Sequence, residues 1–443
     1  MVEIAPFRGL RYNPEKVGSL ADVVIPPYDV ISPTEQELFH QISPYNMVHL
    51  ELGKTTPLDT PDDNPHIRAA KAFREWQSTH ILVRDEQPAL YYYELTFALT
   101  PHVRQTRYGF ICALRLEDFS SGSVRPHERT FQAVKNERLG LVQACEANLS
   151  PIFALYSDPA MVIDHTLRIG RERTPIIAFT DREGMEHRLW RVVSPEIVDR
   201  VNALMLEKPI FIADGHHRYE TALNYRALQR QHLGNSPPQA PHQFTMMYLS
   251  NLDQGGLVIL PTHRLLRFMG PWEPRGFLRD ASAYFDIVEY PLSVEGQRRW
   301  CEDLESGQKT KETVVGLYWR QGDALYLLKA RHDVTSSYLF ARGINPLLHR
   351  LDVVILDRLI LRHLLEISDA FLANERNIHF KHDLLEALAE VKAGDYEAGF
   401  FVNPTRIEQV QEVASAGLIM PHKATYFYPK VGSGLVIYPL ANP

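Results

Sequence analysis

At 443 residues, with 45% hydrophobic residues and 10% aromatics, the chain is long enough for two or three domains with a sizeable core, which excludes intrinsic disorder. A formal net charge of -7 excludes a general nucleic-acid coat, which needs a basic face to release counterions. Three widely spaced cysteines, Cys112, Cys145 and Cys301, support neither a disulfide framework nor a CxxC metal cluster, and a reducing, cytoplasmic setting without a membrane partner is expected.

In chain order, the first constellation is Ile25-Pro-Pro-Tyr-Asp-Val-Ile-Ser-Pro-Thr-Glu35. Two prolines stiffen the backbone ahead of Tyr28 and Asp29, which places the Asp29 carboxylate to act as base or metal ligand, or to lock the turn. Ser32-Pro-Thr-Glu35 fits a capping box with Pro33 at the first helical position, so Glu35 reads equally as a cap and as a catalytic carboxylate. Ile67 to His80 reads as a helix. Strands at Leu90 to Ala98 and Arg107 to Leu116 flank Thr100-Pro-His102 as an antiparallel hairpin.

Val124-Arg-Pro-His-Glu-Arg-Thr130 follows, ahead of a helix read over Lys135 to Glu146. His127 and Glu128 form an acid/base pair, and Arg125, Arg129, Lys135 and Arg138 are cations suited to lining a phosphate channel. The plain alternative is a solvated charged loop. Asn148-Leu-Ser-Pro-Ile152, ahead of a strand at Pro151 to Tyr156, orients either a backbone turn or a substrate carboxylate, and the turn is favoured. A strand at His187 to Val193 and a helix at Pro195 to Leu206 come next.

Pro209-Ile-Phe-Ile-Ala-Asp-Gly-His-His-Arg-Tyr-Glu-Thr-Ala-Leu223 is the most informative stretch. A buried apolar strand, Pro209 to Ala213, runs through a tight turn at Gly215 into a helix read over Tyr219 to Arg230. The first N–H groups of that helix carry the positive end of its dipole, so a phosphate fits there with Arg218 as a forked, permanently charged partner. Asp214 reads as a magnesium ligand or as a cap for the same helix. Adjacent histidines, His216 and His217, diverge at a helix start and do not suit a zinc site, and no HExxH pattern exists.

A strand at Phe244 to Leu249 follows the Pro-rich break Gly234 to His242. The mixture of elements predicts an α+β or mixed α/β fold. A second set of elements begins near 265: a helix at Ser293 to Glu305, strands at Thr313 to Trp319 and Ala324 to Ala330, and helices from Leu351 and His382. A strand at Tyr396 to Val402 and a helix at Arg406 to Ala416 complete it. Domains over 1–264 and 265–443 are therefore expected. The closing segment Met420-Pro-His-Lys-Ala-Thr-Tyr-Phe-Tyr-Pro-Lys430 places Lys423 and Lys430 around three aromatics, an arrangement for closing over a nucleotide base and its phosphates if the tail returns to the first domain. No GxSxG elbow, Walker A loop or GxGxxG fingerprint is present.

The blocks Pro26-Pro-Tyr-Asp-Val-Ile31, Arg125-Pro-His-Glu-Arg-Thr130, Asp214-Gly-His-His-Arg-Tyr-Glu-Thr-Ala222 and Met420 to Lys430 resemble, in this order, a widespread prokaryotic family of unknown function; Ala424 stands where relatives carry Ser. The Asp-Gly-His-His-Arg core also resembles the phosphate-binding loop of the ParB and sulfiredoxin superfamily, which includes free-serine kinases that make O-phosphoserine. That resemblance implies a nucleotide-binding core with large insertions and a second C-terminal α/β domain. It implies Gly215, His216, His217 and Arg218 around the phosphates, Asp214 near magnesium, and Glu35 as the base, with Asp29 and Glu128 as rivals. The implied activity is magnesium-dependent transfer from ADP or ATP to the hydroxyl of a free amino acid, with L-serine first. The alternative is a nucleotide-binding regulator or DNA-processing protein without kinase activity. Expected partners are a nucleotide and a small hydroxyl-bearing metabolite, with a homodimer compatible and nucleic acid disfavoured.

Overall fold

A computed structural model describes the whole chain except Pro101, Arg129, Asn235, Ser236, Phe268, Met269, Pro271, Trp272, Ala373, Glu375, Asn442 and Pro443. The chain forms two compact units: Met1–Pro126, Thr130–Leu257 and Pro429–Pro443 make the first, and His127–Arg129 with Val258–Tyr428 the second. The division thus falls at 257/258 rather than 264/265, and the chain's end belongs with its beginning. Backbone pairing explains both differences. Val258–Leu260 pairs with Tyr426–Tyr428, whereas Tyr438–Pro439 pairs with Ala147–Asn148 and Ser433 bridges to Ile25.

The first unit is built on a mixed sheet, nine-stranded among the described residues, so the fold is mixed α/β. Along its main path the order is Val124–Arg125, Ile210–Asp214, Ile152–Tyr156, Phe244–Asn251, Val103–Arg115, Leu90–Thr100, Glu186–Val192 and Ile177–Thr180. Leu90–Thr100 and Val103–Arg115 form the expected antiparallel hairpin; Pro101 lies outside the described residues. Both faces of the central strands are buried, which is why they read as continuous apolar runs and not as alternations. On one face Tyr92, Phe110, Ile152, Ala154 and Leu249 pack with Ile163, Leu167, Val198 and Met205. These last four come from helices Val162–Gly170 and Pro195–Met205.

The second unit is a six-stranded antiparallel sheet among the described residues, ordered Phe285–Pro291, Ala324–Ala330, Val314–Trp319, Ala398–Val402, His263–Leu266 and Ile378–Lys381. Trp300, Leu304, Leu325, Leu388 and Phe401 lie in its core. The helix expected from Leu351 is α-helical only over Asp352–Val354. Ile355–Leu364 then winds as a π-helix, with Leu365 N donating to Ile360 O at 3.0 Å. Its apolar residues Ile355, Leu356, Leu359 and Ile360 are buried, while Asp357 pairs with Arg362 at 3.1 Å on the charged side.

Burial pushes the Asp352 carboxyl up to about 7, against hydrogen bonding from Asn403 and the Arg406 charge, and its Oδ2 is buried without a partner. An unfolded Asp titrates near ~3.9, so between about pH 4 and pH 7 the folded state holds more protons and stability falls as pH rises. Asp352→Asn is expected to remove this slope: its melting temperature matches wild type at pH 4.5 and exceeds it at pH 7.5 in thermal denaturation.

Candidate functional site

The anion corner is shaped by its backbone. Every residue of the strand Ile210–Asp214 is buried, and its register against Ile152–Tyr156 shifts between Ile212 and Asp214, the kind of irregularity that re-aims a side chain at a strand's end. Gly215 has φ +92° and starts the helix His216–Leu233 without a side-chain cap. A Cβ at Gly215 would sit 2.9 Å from Arg218 Nε. Both the left-handed backbone and the close approach therefore require glycine.

Arg218 folds back across this turn. Its Nη2 donates to Asp214 Oδ2 at 2.5 Å and its Nη1 to Pro151 O at 2.5 Å. Lys430 reaches the other carboxylate oxygen, Oδ1, from the returning tail. All three side chains are nearly enclosed, at 10%, 9% and 11% exposure for Arg218, Asp214 and Lys430. Burial works against the Arg218 charge, but Asp214, then Asp29, Tyr28 and Glu51, outweigh it and hold its pKa above the ordinary value. Asp29, exposed on the short turn Tyr28–Val30, is thus electrostatically coupled to the corner.

His216 is buried. The ring of His217 stacks on Phe131, and its Nε2 accepts from Phe131 N at 2.9 Å. Lys135 pairs with Glu220 at 2.6 Å. The Arg138 guanidinium lies 4.1 Å from the Tyr28 ring centre and donates to Glu51 O and to Glu137. Burial opposes the Glu137 charge, but His66 and Arg138 hold its pKa down to about 2. Lys135 and Arg138, expected as phosphate ligands, are therefore each tied to a carboxylate of this unit.

The other expected residues have different settings. Glu35 is exposed, and its carboxylate accepts from Ser32 N at 2.8 Å and Ser32 Oγ at 2.6 Å, completing the capping box. His127 and Glu128 belong to the second unit, with Lys423. There, His127 Nε2 meets Thr425 Oγ1 at 3.0 Å, and Glu128 Oε1 accepts from Lys423 N at 3.0 Å and lies 2.9 Å from His422 Nδ1. Ala424, buried, offers its carbonyl to Thr405 Oγ1 at 2.8 Å. Arg129 lies outside the described residues.

A family model matches residues 4–354, a span that takes in the corner and its flanking elements. The chain belongs to that family, described as Protein of unknown function (DUF1015). No curated protein matches the sequence. Among solved structures, a mutant free serine kinase in complex with AMP is similar at 11% identity, covering 69% of this chain and 84% of that one with a TM-score of 0.35. Another mutant free serine kinase, in complex with ADP, shows 12% identity over 69% and 84%, with a TM-score of 0.33. A conserved hypothetical protein from Pyrococcus furiosus shows 13% identity over 70% and 90%, with a TM-score of 0.32. Among the described residues no helix is long and apolar enough to cross a membrane.

Sequence reasoning passed over Glu51 and gave Thr221 no role. Glu51 ends the helix Val48–Glu51 and is buried, with Ser150 Oγ donating to its Oε1 at 2.7 Å. A carboxylate following Val48 and Leu50 in a helix with no other acid was the available signal, since isolated charges are buried only with partners. Ser150 lies in the Asn-Leu-Ser stretch, in which Asn148 belongs to a short strand paired with Tyr438–Pro439 and accepts from Met246 N at 2.9 Å.

Proposed function

We propose that the Asp214–Arg218 corner binds the terminal phosphates of a nucleoside di- or triphosphate, and that the protein transfers a phosphoryl group from it to the hydroxyl of a small metabolite, a free amino acid with L-serine first. The observation that carries this reading is the convergence of Arg218 and Lys430 on Asp214 beside an uncapped glycine helix start. A guanidinium, an ammonium and a helix dipole gathered at one point are what a transferring phosphoryl group requires, because its chemistry demands positioning and charge neutralisation more than covalent help. The likeness of the Asp-Gly-His-His-Arg loop to that of free-serine kinases supports the same reading.

In this scheme the acceptor hydroxyl oxygen forms the new P–O bond as the bond to the nucleotide's bridging oxygen breaks. The hydroxyl proton passes to a carboxylate, and the nucleotide leaves one phosphate shorter. Asp29 suits the base best: it is exposed and its charge acts on Arg218, whereas the carboxylate of Glu35 is engaged by Ser32. A protein-built magnesium site does not fit. Both Asp214 oxygens are held by cations, and no group of three His, Cys, Asp or Glu side chains suited to a metal ion occurs among the described residues.

The test incubates purified protein with magnesium, ADP or ATP and a panel of amino acids, and follows phosphorylated product by mass spectrometry. O-phosphoserine is the expected product, with Asp29→Asn slowing its formation by about 10²–10⁴-fold and Glu35→Gln leaving it near wild type. No product from any acceptor, together with retention on DNA at physiological salt, overturns the reading in favour of a DNA-processing protein.

A further inference from the structure

The second unit holds an open cleft of about 290 Å³ lined by Tyr338, Arg342, Ile344, Arg358, Arg362 and His363. Half of that lining is arginine and none of it is a carboxylate. Backbone winding gathers these residues. At about 100° per residue, an α-helix would set positions 358 and 363 roughly 140° apart, whereas the i to i+5 bonding of a π-helix stacks them on one face. Ile355–Leu364 is wound in the second way, so Arg358, Arg362 and His363 form one wall. The helix His332–Phe340 and the turn that follows it supply Tyr338, Arg342 and Ile344.

The guanidiniums are oriented without being saturated. Asp357 Oδ2 accepts from Arg362 Nε at 3.1 Å and lies 3.2 Å from Arg358 Nε, and Arg362 Nη1 reaches Asp369. Arg342 lies 3.6 Å from the Tyr338 ring centre, donates through Nη1 to Tyr338 O at 3.4 Å, and has no carboxylate partner among the described residues. Both Nη groups of Arg358, and Nη2 of Arg342 and of Arg362, likewise have no protein acceptor among the described residues. Arg358 and Arg362 are 38% and 28% exposed, so a ligand can reach them.

We propose that this cleft binds a small phosphomonoester, its phosphate among Arg342, Arg358 and Arg362 and its organic body against Ile344. A phosphate ester offers nearly two charges and three strong acceptor oxygens to three forked donors, whereas a carboxylate offers one charge and two oxygens. The volume is at the lower end for small-molecule sites, which suits a phosphate on a short body. A nucleobase finds no free ring to stack on, because Tyr338 already carries His363 at 4.8 Å and Arg342. The site lies within the second unit and does not rest on the kinase reading.

The test is calorimetric titration of the full chain, with and without excess ADP to fill the Asp214 corner, using glycerol 3-phosphate, D-glycerate, which carries a carboxylate in place of the phosphate, and glycerol. Wild type is expected to bind glycerol 3-phosphate at least tenfold more tightly than D-glycerate, to show no heat with glycerol, and to keep this binding in ADP. Arg342→Gln and Arg358→Gln are each expected to weaken glycerol 3-phosphate at least tenfold. Arg358 pairs only with its exposed-side neighbour Asp357, so Arg358→Gln is expected to melt within a degree or two of wild type, which separates lost binding from lost folding. Arg331→Gln, which removes an exposed arginine of the same unit outside the cleft, is expected to bind as wild type does. Equal affinity for D-glycerate, displacement by ADP, unaltered affinity in both cleft variants, or no binding of glycerol 3-phosphate to wild type overturns the assignment. Binding to phosphatidylcholine vesicles that contain phosphatidic acid, without binding of the soluble ester, overturns it in favour of a membrane surface.

Discussion

Arg218→Ala is expected to lower the unfolding free energy of the first unit by about 3–5 kcal/mol, the range for breaking a buried ion pair from one side. The guanidinium donates to both Asp214 and the Pro151 carbonyl, so its removal leaves a carboxylate that is 9% exposed with one cation fewer and a carbonyl without its donor. Against a total stability of roughly 5–15 kcal/mol, that loss leaves a marginal protein. Urea denaturation measures it, with an unchanged slope and a lower midpoint as the signature. Arg218→Lys keeps the charge, but a single ammonium cannot reproduce the fork that spans Asp214 and Pro151, and an intermediate midpoint is expected. The same pair of variants bears on binding: an ADP-induced rise in melting temperature is expected for wild type and is absent in Arg218→Ala. An unfolding free energy for Arg218→Ala within about 1 kcal/mol of wild type would show that the corner contributes little to the fold.

Deletion of Pro429–Pro443 is expected to have the larger effect, abolishing cooperative folding of the first unit. Val431, Leu435, Val436, Ile437, Tyr438 and Leu440 are all buried. At about 1.5–3 kcal/mol for each fully buried apolar side chain, the six together amount to roughly 9–18 kcal/mol as an upper bound, comparable with the whole stability of a domain. The fit is close: a Cβ at Gly9 would lie 2.3 Å from Val436 Cγ2. Backbone bonds from Ile437 to Leu10 and from Leu440 to Glu146 are lost as well. Circular dichroism and limited proteolysis read the outcome, with cleavage expected throughout the first unit of the truncated chain. A truncated protein that still melts cooperatively with protected central strands would refute the argument.

What was legible in the sequence was local. The central strands were readable because a strand covered on both faces is an unbroken apolar run, and Ile210–Asp214 and Phe244–Asn251 are such runs. The corner was readable because Asp-Gly-His-His-Arg packs its unusual residue types into five positions. Ser32-Pro-Thr-Glu35 was readable as a capping box from its spacing. Strands of two or three residues, such as Val124–Arg125 and Val258–Leu260, are too short for any periodicity to register. The π-helical winding of Ile355–Leu364 was hidden because its apolar residues recur much as they would in an α-helix. Glu51 was hidden because its partner, Ser150, is 99 positions away. The pairing of Lys430 with Asp214 left no local trace either: the lysines and aromatics of the closing segment suggested a ligand site, but nothing near Lys430 named Asp214 as its partner.

That last pairing joins residues 216 positions apart, and it has a bearing on synthesis. A ribosome adding about 5–20 residues per second takes about 10–40 s to travel from Asp214 to Lys430. For most of that interval, once Phe244–Asn251 has been added, the nascent first unit has its helix corner and the strands of its main sheet but lacks the closing strand and the ammonium, while Val258–Tyr428 of the second unit emerges. Maturation of the corner thus waits for Lys430: ribosomes that stall or terminate before reaching it release chains whose first unit is left unfinished, whatever the quality of the segments already made.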